Sequence, residues 1–157
     1  MSEPRLLPLG QAQLAAVLKL DAVCFEQEPL APLWWQKAVT GGEASGWLVE
    51  RAGQPLAYCL FRQVLDEAEL LRLAVAPGER GNGLASTLLR AGQAALRARG
   101  ISHFFLEVRA SNRSAQRVYL RCGWHRCGRR ANYYPLAQGR EDALLFSWRA
   151  QKEDDPG

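Results

Sequence analysis

The sequence predicts an α/β (α+β) fold in a single domain, and three observations carry that expectation. Apolar runs of strand length at Trp47 to Arg51 and Leu56 to Val64 flank Ala52-Gly53-Gln54-Pro55, as the arms of a hairpin flank its turn. The stretch from Glu69 to Ala91, ELLRLAVAPGERGNGLASTLLRA, runs from strand through a glycine-rich turn into helix. It is followed by a strand-like run at His103 to Arg109, so the two strands should lie parallel. Finally, a chain of 157 residues with 48% hydrophobic and 23% charged residues can build one core without disulfides or a metal.

Taken in order, Arg5 to Leu9 suits a short strand, and Leu14, Val17, Leu18 and Val23 with Cys24 give a first helix one apolar side. The segment Glu26 to Trp35, EQEPLAPLWW, cannot begin as a regular helix, because its prolines bias the preceding residues away from helical angles. A helix over Pro32 to Thr40 follows, ended by Gly41-Gly42. After the hairpin, Asp66 and Glu67 mark a turn. Leu71, Leu73 and Val75 then alternate with Leu70, Arg72 and Ala74 until Pro77, which cannot donate a ladder hydrogen bond, so the strand ends near Ala76. Leu84, Leu88, Ala91 and Ala95 recur at helical spacing and predict a helix over Asn82 to Arg99, with Gly100 as its left-handed stop.

In the next strand Phe104, Leu106 and Val108 point to one face and Phe105, Glu107 and Arg109 to the other. Ser111 or Asn112 caps a further helix that Gly123 ends, and Asn112, Ala115 and Tyr119 share one face of it. Trp124 to Trp148 reads as two strands around a loop containing Asn132-Tyr133-Tyr134-Pro135 and Gly139. One domain over residues 1–149 and a frayed tail over 150–157 are expected, because the tail QKEDDPG has no apolar residue.

Composition narrows the function classes. No apolar run approaches the roughly 20 residues of a membrane span, and Lys19 and Asp21 interrupt the stretch that might otherwise resemble a signal peptide. A soluble cytoplasmic protein is expected. Cys24, Cys59, Cys122 and Cys127 fall at no framework spacing, so reduced thiols are the default. Cys122-Gly-Trp-His125-Arg-Cys127 reads as a helix end entering a strand rather than a metal site. Charge is uneven: residues 1–71 carry five bases and nine acids (5 − 9 = −4), and residues 72–157 carry fifteen and seven (15 − 7 = +8). That suits a polyanionic small molecule in the second half and a cationic partner near the first. Charge alone also admits nucleic acid or freely used surface arginine.

Two groups of residues carry chemistry. Arg80-Gly81-Asn82-Gly83-Leu84-Ala85 lies between a strand and a helix, where glycines let a ligand approach the unpaired N–H groups of the helix start. Those groups and the helix dipole attract a pyrophosphate, and Arg80 adds a charge-assisted contact. Glycine turns of this kind also occur as plain scaffolding. Glu107 is a carboxylate in an apolar strand: it either pairs with Arg109 or a neighbouring cation, or serves in catalysis. Tyr119 alone reads as a core aromatic.

Together, Arg80-x-x-Gly83-x-Ala85 after a strand, Leu106-Glu107-Val108-Arg109-Ala110-Ser111-Asn112, Tyr119 and Cys122-Gly123-Trp124 resemble the GCN5-related N-acetyltransferase (GNAT) family. Within it they resemble the bacterial RimI branch, which acetylates the N-terminal alanine of a small-subunit ribosomal protein. The resemblance extends from about Glu67 to Phe146, including Asn132-Tyr133-Tyr134-Pro135 and Gly139-Arg140-Glu141-Asp142-Ala143. It implies a mixed, mostly antiparallel central sheet with helices on both faces and a V-shaped splay between two parallel strands.

The resemblance further implies acetyl-CoA as acetyl donor. Its pantetheine arm would pair with backbone near Leu73, Ala74 and Val75, its pyrophosphate would rest on the amides of Gly81, Asn82, Gly83, Leu84, Ala85 and Ser86 beside Arg80, and Asn112 would bind it from the next helix. Glu107 would be the general base that takes a proton from the amine, and Tyr119 the general acid that gives one to the coenzyme A sulfur, with no metal required. A strand-end N–H such as that of Val75 would polarise the thioester carbonyl.

The implied partner is the N-terminus of a protein substrate, a basic ribosomal protein, with no membrane and no nucleic acid required. Relatives acting on lysine side chains or small amines, and non-catalytic acyl-CoA or ribosome binders, would share much of the pattern. Gly123-Trp124 departs from the branch's usual Gly-Phe, and EQEPLAPLWW departs from its usual Pro-Trp segment. The expectation for that loop is that Glu26 or Glu28 favours a basic acceptor peptide while Trp34 or Trp35 walls the slot.

Overall fold

The computed structural model describes residues 3–25, 28–29 and 31–150. Among these, seven strands form one sheet in the order β1-β2-β3-β4-β5-β7-β6. The strands are β1 (Arg5–Pro8), β2 (Ala44–Arg51), β3 (Gln54–Val64), β4 (Glu67–Val75), β5 (His103–Arg109), β6 (His125–Pro135) and β7 (Arg140–Arg149). The helices are α1 (Leu14–Cys24), α2 (Pro32–Thr40), α3 (Leu84–Ala98) and α4 (Arg113–Arg121). Every strand pairing is antiparallel except β4 with β5, as expected for a strand-helix-strand unit. The tail after Ala150 lies outside the described residues.

Two apolar layers hold the sheet. On one face α1 and α2 bring Leu14, Val17 and Trp35 onto Leu48, Tyr58 and Leu60. On the other, α3 and α4 bring Leu88, Leu89 and Tyr119 onto Phe61, Phe104 and Phe146. The second contact is close: a Cβ on Gly92 of α3 would lie 2.6 Å from the Phe61 ring, so the missing side chain sets how near the helix can lie to the sheet.

Several boundaries differ from expectation, among them the start of β2 at Ala44 and of β4 at Glu67. The β2–β3 turn is the two residues Ala52-Gly53, both at positive φ, so Gln54 and Pro55 belong to β3. Pro55 is tolerated because the register slips at Val49/Glu50 beside it. Asn132-Tyr133-Tyr134-Pro135 is not loop but the end of β6, where a register shift between Arg130 and Tyr134 takes up Asn132 at φ 52°. Helix α3 starts at Leu84 rather than Asn82, because Gly83 in the left-handed region is its N-cap.

The feature that positions the site lies between β4 and β5. They pair only at Glu67↔His103, Ala68↔Phe104 and Glu69↔Phe105, and past that point they part. Opposite the β3 register shift at Leu60/Phe61, β4 carries the extra residue Leu71, and a bulge of this kind bends and twists its strand. The sheet therefore opens into a V, with Leu73 to Val75 on one arm and Leu106 to Arg109 on the other.

Candidate active site

The donor-side groove follows from the backbone. Ala76 donates its N–H to Leu56 of β3 at 2.7 Å, so by strand alternation the N–H and C=O groups of Leu73 and Val75 point the other way, into the V. The Val75 carbonyl there accepts from Arg80 Nε at 3.2 Å and from the Cys24 thiol at 3.6 Å. A groove of about 600 Å³ runs from this edge to the N-terminus of α3 and across to α4. Gly81 and Gly83 both take positive φ, and a Cβ on either would meet nothing within 4 Å, so the two glycines leave an open cradle over the first amides of α3. Ser86 lines the same groove, and its buried hydroxyl has no hydrogen-bond partner among the described residues.

Ten of the eleven expected cofactor residues line the groove: Leu73, Ala74, Val75, Arg80, Gly81, Gly83, Leu84, Ala85, Ser86 and Asn112. Asn82 is the exception; its side-chain amide turns back to the Glu79 carbonyl at 3.3 Å. Asn112 is partly committed, since its Oδ1 caps α4 by accepting from the Ala115 N–H at 3.2 Å. Sequence reasoning missed Arg117 and Arg121 on α4, which also line the groove. Their i, i+4 spacing on the helix that Asn112 opens was the available signal. Unpaired helix-start amides, a free strand edge and these cations fit a nucleotide pyrophosphate joined to a peptide-like arm.

Glu107 and Tyr119 lie on opposite faces of the sheet, and neither lines the groove. Tyr119 is buried on the α3–α4 face, with its ring packed on Trp124 and Phe146 at centroid distances of 6.1 and 5.8 Å. Its hydroxyl has no protein hydrogen-bond partner among the described residues, and burial raises its pKa well above the usual phenol value. Burial therefore favours the protonated phenol.

Glu107 sits on the other face. Of the readings open from the sequence, pairing with Arg109 is not what the structure shows: Arg130 Nε of β6 lies 3.0 Å from Glu107 Oε1. The nearby Glu107 carboxylate is the main cause that raises the pKa of the Tyr133 phenol. Tyr134 is pushed up to about 12, first by burial and then by the charge of Glu107.

Arg109 has other partners. It contacts Glu141 at 3.0 Å and Glu28 at 3.7 Å, and it lies 4.5 Å from the centre of the Tyr134 ring. Glu141 also accepts from the N–H and hydroxyl of Ser111, and these bonds with Arg109 hold its carboxyl below the usual range. The Arg140-Glu141-Asp142 run thus ties β7 to β6 and to the end of β5. Trp35 is fully buried against Tyr58, at 5.6 Å between rings, so it belongs to the core and does not wall a slot; Trp34 is partly exposed. Glu26 lies outside the described residues.

Comparison with known proteins agrees with this geometry. A family model described as "Acetyltransferase (GNAT) family" matches residues 13–124. The chain is 35% identical over 125 residues, 78% of its length and 84% of the relative's, to the [Ribosomal protein bS18]-alanine N-acetyltransferase of Escherichia coli strain K12. It is 30% identical over 130 residues to a putative enzyme of the same name from Bacillus subtilis, covering 83% of this chain and 85% of that one. The crystal structure of the ribosomal-protein-S18-alanine N-acetyltransferase from Escherichia coli superposes with a TM-score of 0.84 at 29% identity, covering 96% of this chain and 97% of that one.

Proposed function

Because this chain belongs to the GNAT family of acetyltransferases and is an acetyl-CoA-dependent N-acetyltransferase, we propose that its acceptor is the α-amino group of an N-terminal alanine on a small-subunit ribosomal protein. The observation that carries this reading is the parting of β4 and β5 after Glu69 and Phe105. It frees the facing edges of both strands, and Glu107 lies on the freed length of β5. The 35% identity over most of the chain to an enzyme named for that acceptor supports it.

Acetyl-CoA supplies the activated acetyl group. Leu73 and Val75 offer backbone hydrogen bonds to the pantetheine arm, and the α3 amides from Gly81 to Ser86, with Arg80, Arg117 and Arg121, hold the phosphates. Glu107 takes the proton from the attacking amine. The Tyr119 phenol, protonated because it is buried, stands on the donor face and gives a proton to the departing sulfur. The Val75 N–H, aimed into the V, polarises the carbonyl under attack.

The test is release of free thiol from acetyl-CoA with two peptides, one beginning with alanine and a basic residue with a free amine, the other identical but blocked at its N-terminus. Turnover confined to the free amine, with the acetyl group placed on it by mass spectrometry, is the expected result. Equal turnover of the blocked peptide on an internal lysine would overturn the α-amine reading.

A further inference from the structure

Phe25 and Glu28, which lie between α1 and α2, are tied to both arms of the V. On the β4 side, Arg72 donates through Nη2 to the Glu28 carbonyl at 2.6 Å, and its guanidinium stacks 4.1 Å from the centre of the Phe25 ring. On the β5 side, Arg109 lies 3.7 Å from the Glu28 carboxylate. Glu28 thus touches both strands just where they no longer touch each other.

Arg72 is itself held from below. Its other terminal nitrogen lies 3.9 Å from Asp21, a carboxylate of α1 that is 1% exposed, and the Tyr58 hydroxyl of β3 donates to the same carboxylate. A buried acid of this kind is costly unless its partners satisfy it. Here those partners are a phenol, which fixes where the carboxylate points, and a guanidinium, which the carboxylate aims at the loop. None of these groups lines the α3 phosphate cradle.

We propose that Asp21, Tyr58 and Arg72 form a buried positioning set that fixes Glu28 across the cleft and thereby selects the acceptor, favouring a peptide with a cationic residue next to its N-terminal amine. This rests on the α-amine reading above. Among the described residues between α1 and α2, Glu28 is the acid; its hold on Arg109 is long and shared with Glu141, so a peptide cation can take it over without leaving Arg109 unpaired. Arg72 and Asp21 act only through Glu28; they are positioning residues, and lysine cannot replace a guanidinium that both stacks and donates in a plane.

The experiment compares wild type, Glu28→Gln, Arg72→Lys and Arg72→Met. Each is assayed with a peptide beginning Ala-Arg and one beginning Ala-Gln, with KM for acetyl-CoA and thermal midpoint measured alongside. In all three variants the preference for the cationic peptide, as the ratio of the two kcat/KM values, should fall about ten-fold, through acceptor KM. KM for acetyl-CoA should stay within about two-fold. Glu28 is exposed, so Glu28→Gln tests selectivity even if the Arg72 variants lose stability.

An unchanged ratio in Glu28→Gln would overturn the proposal. So would a change in Arg72→Lys that moved both KM values together, the mark of a general structural role. Absence of wild-type turnover on either peptide, with acetyl-CoA still bound, would overturn the α-amine reading itself and the selectivity built on it.

Discussion

Arg130 Nε lies 3.0 Å from Glu107 Oε1 although β7 runs between their two strands. In the register, Ala143 of β7 stands opposite both Arg130 of β6 and Arg109 of β5, so the strand carries only a methyl group where the long side chain must cross. Arg130 holds the carboxylate by this ion pair. Glu107→Gln keeps the shape and loses the proton acceptor. We expect kcat to fall by roughly two to four orders of magnitude with KM for acetyl-CoA unchanged. Steady-state thiol release decides it, and normal turnover would remove Glu107 as the base.

Tyr119→Phe separates a proton donor from a core ring. The hydroxyl has no protein partner among the described residues, so its loss should change the thermal midpoint little, while kcat drops by about a hundred-fold or more. A variant with wild-type turnover and wild-type stability would show the ring to be packing alone.

Gly83→Ala puts a methyl group at φ 78°, a left-handed position that costs an alanine about 1 kcal/mol. No atom lies within 4 Å of the new Cβ, so the fold should tolerate it. The methyl projects into the cradle, and the expected outcome is a raised KM for acetyl-CoA with the acceptor KM little altered. Calorimetric titration with coenzyme A checks this without turnover.

Acid should loosen the β6–β7 hairpin. Glu141 is held below its usual value of 4.5 chiefly by Ser111 and Arg109, and Asp142 below 3.8 by the Asn132 N–H and Arg129. A depressed carboxyl contributes stability above its unfolded pKa and loses it as pH falls through the folded one. Amide exchange in Arg129 to Asp142, taken relative to the intrinsic exchange rate at each pH, should therefore quicken below about pH 4.5. In Glu141→Gln it should already be faster at neutral pH and change less with acid. Equal acid sensitivity in both proteins would refute this account.

What the sequence determined by itself is local. Alternation placed Phe104, Leu106 and Val108 inward and Glu107 outward. The prolines and glycines bounded α2, and the glycine turn before α3 marked an open helix start, because each depends only on residues close in the chain. What the tertiary structure decided is every relation across strands. The register shift beside Leu71 and the three-pair contact of β4 with β5 open the V. Strand order, with β7 inserted between β5 and β6, gives Glu107 to Arg130 rather than to Arg109. Glu107 and Tyr119 fall on opposite faces of the sheet, and Arg72 meets Glu28 across 44 positions of chain. No spacing along the chain encodes such contacts, since they follow from how the sheet bends and which faces the helices cover.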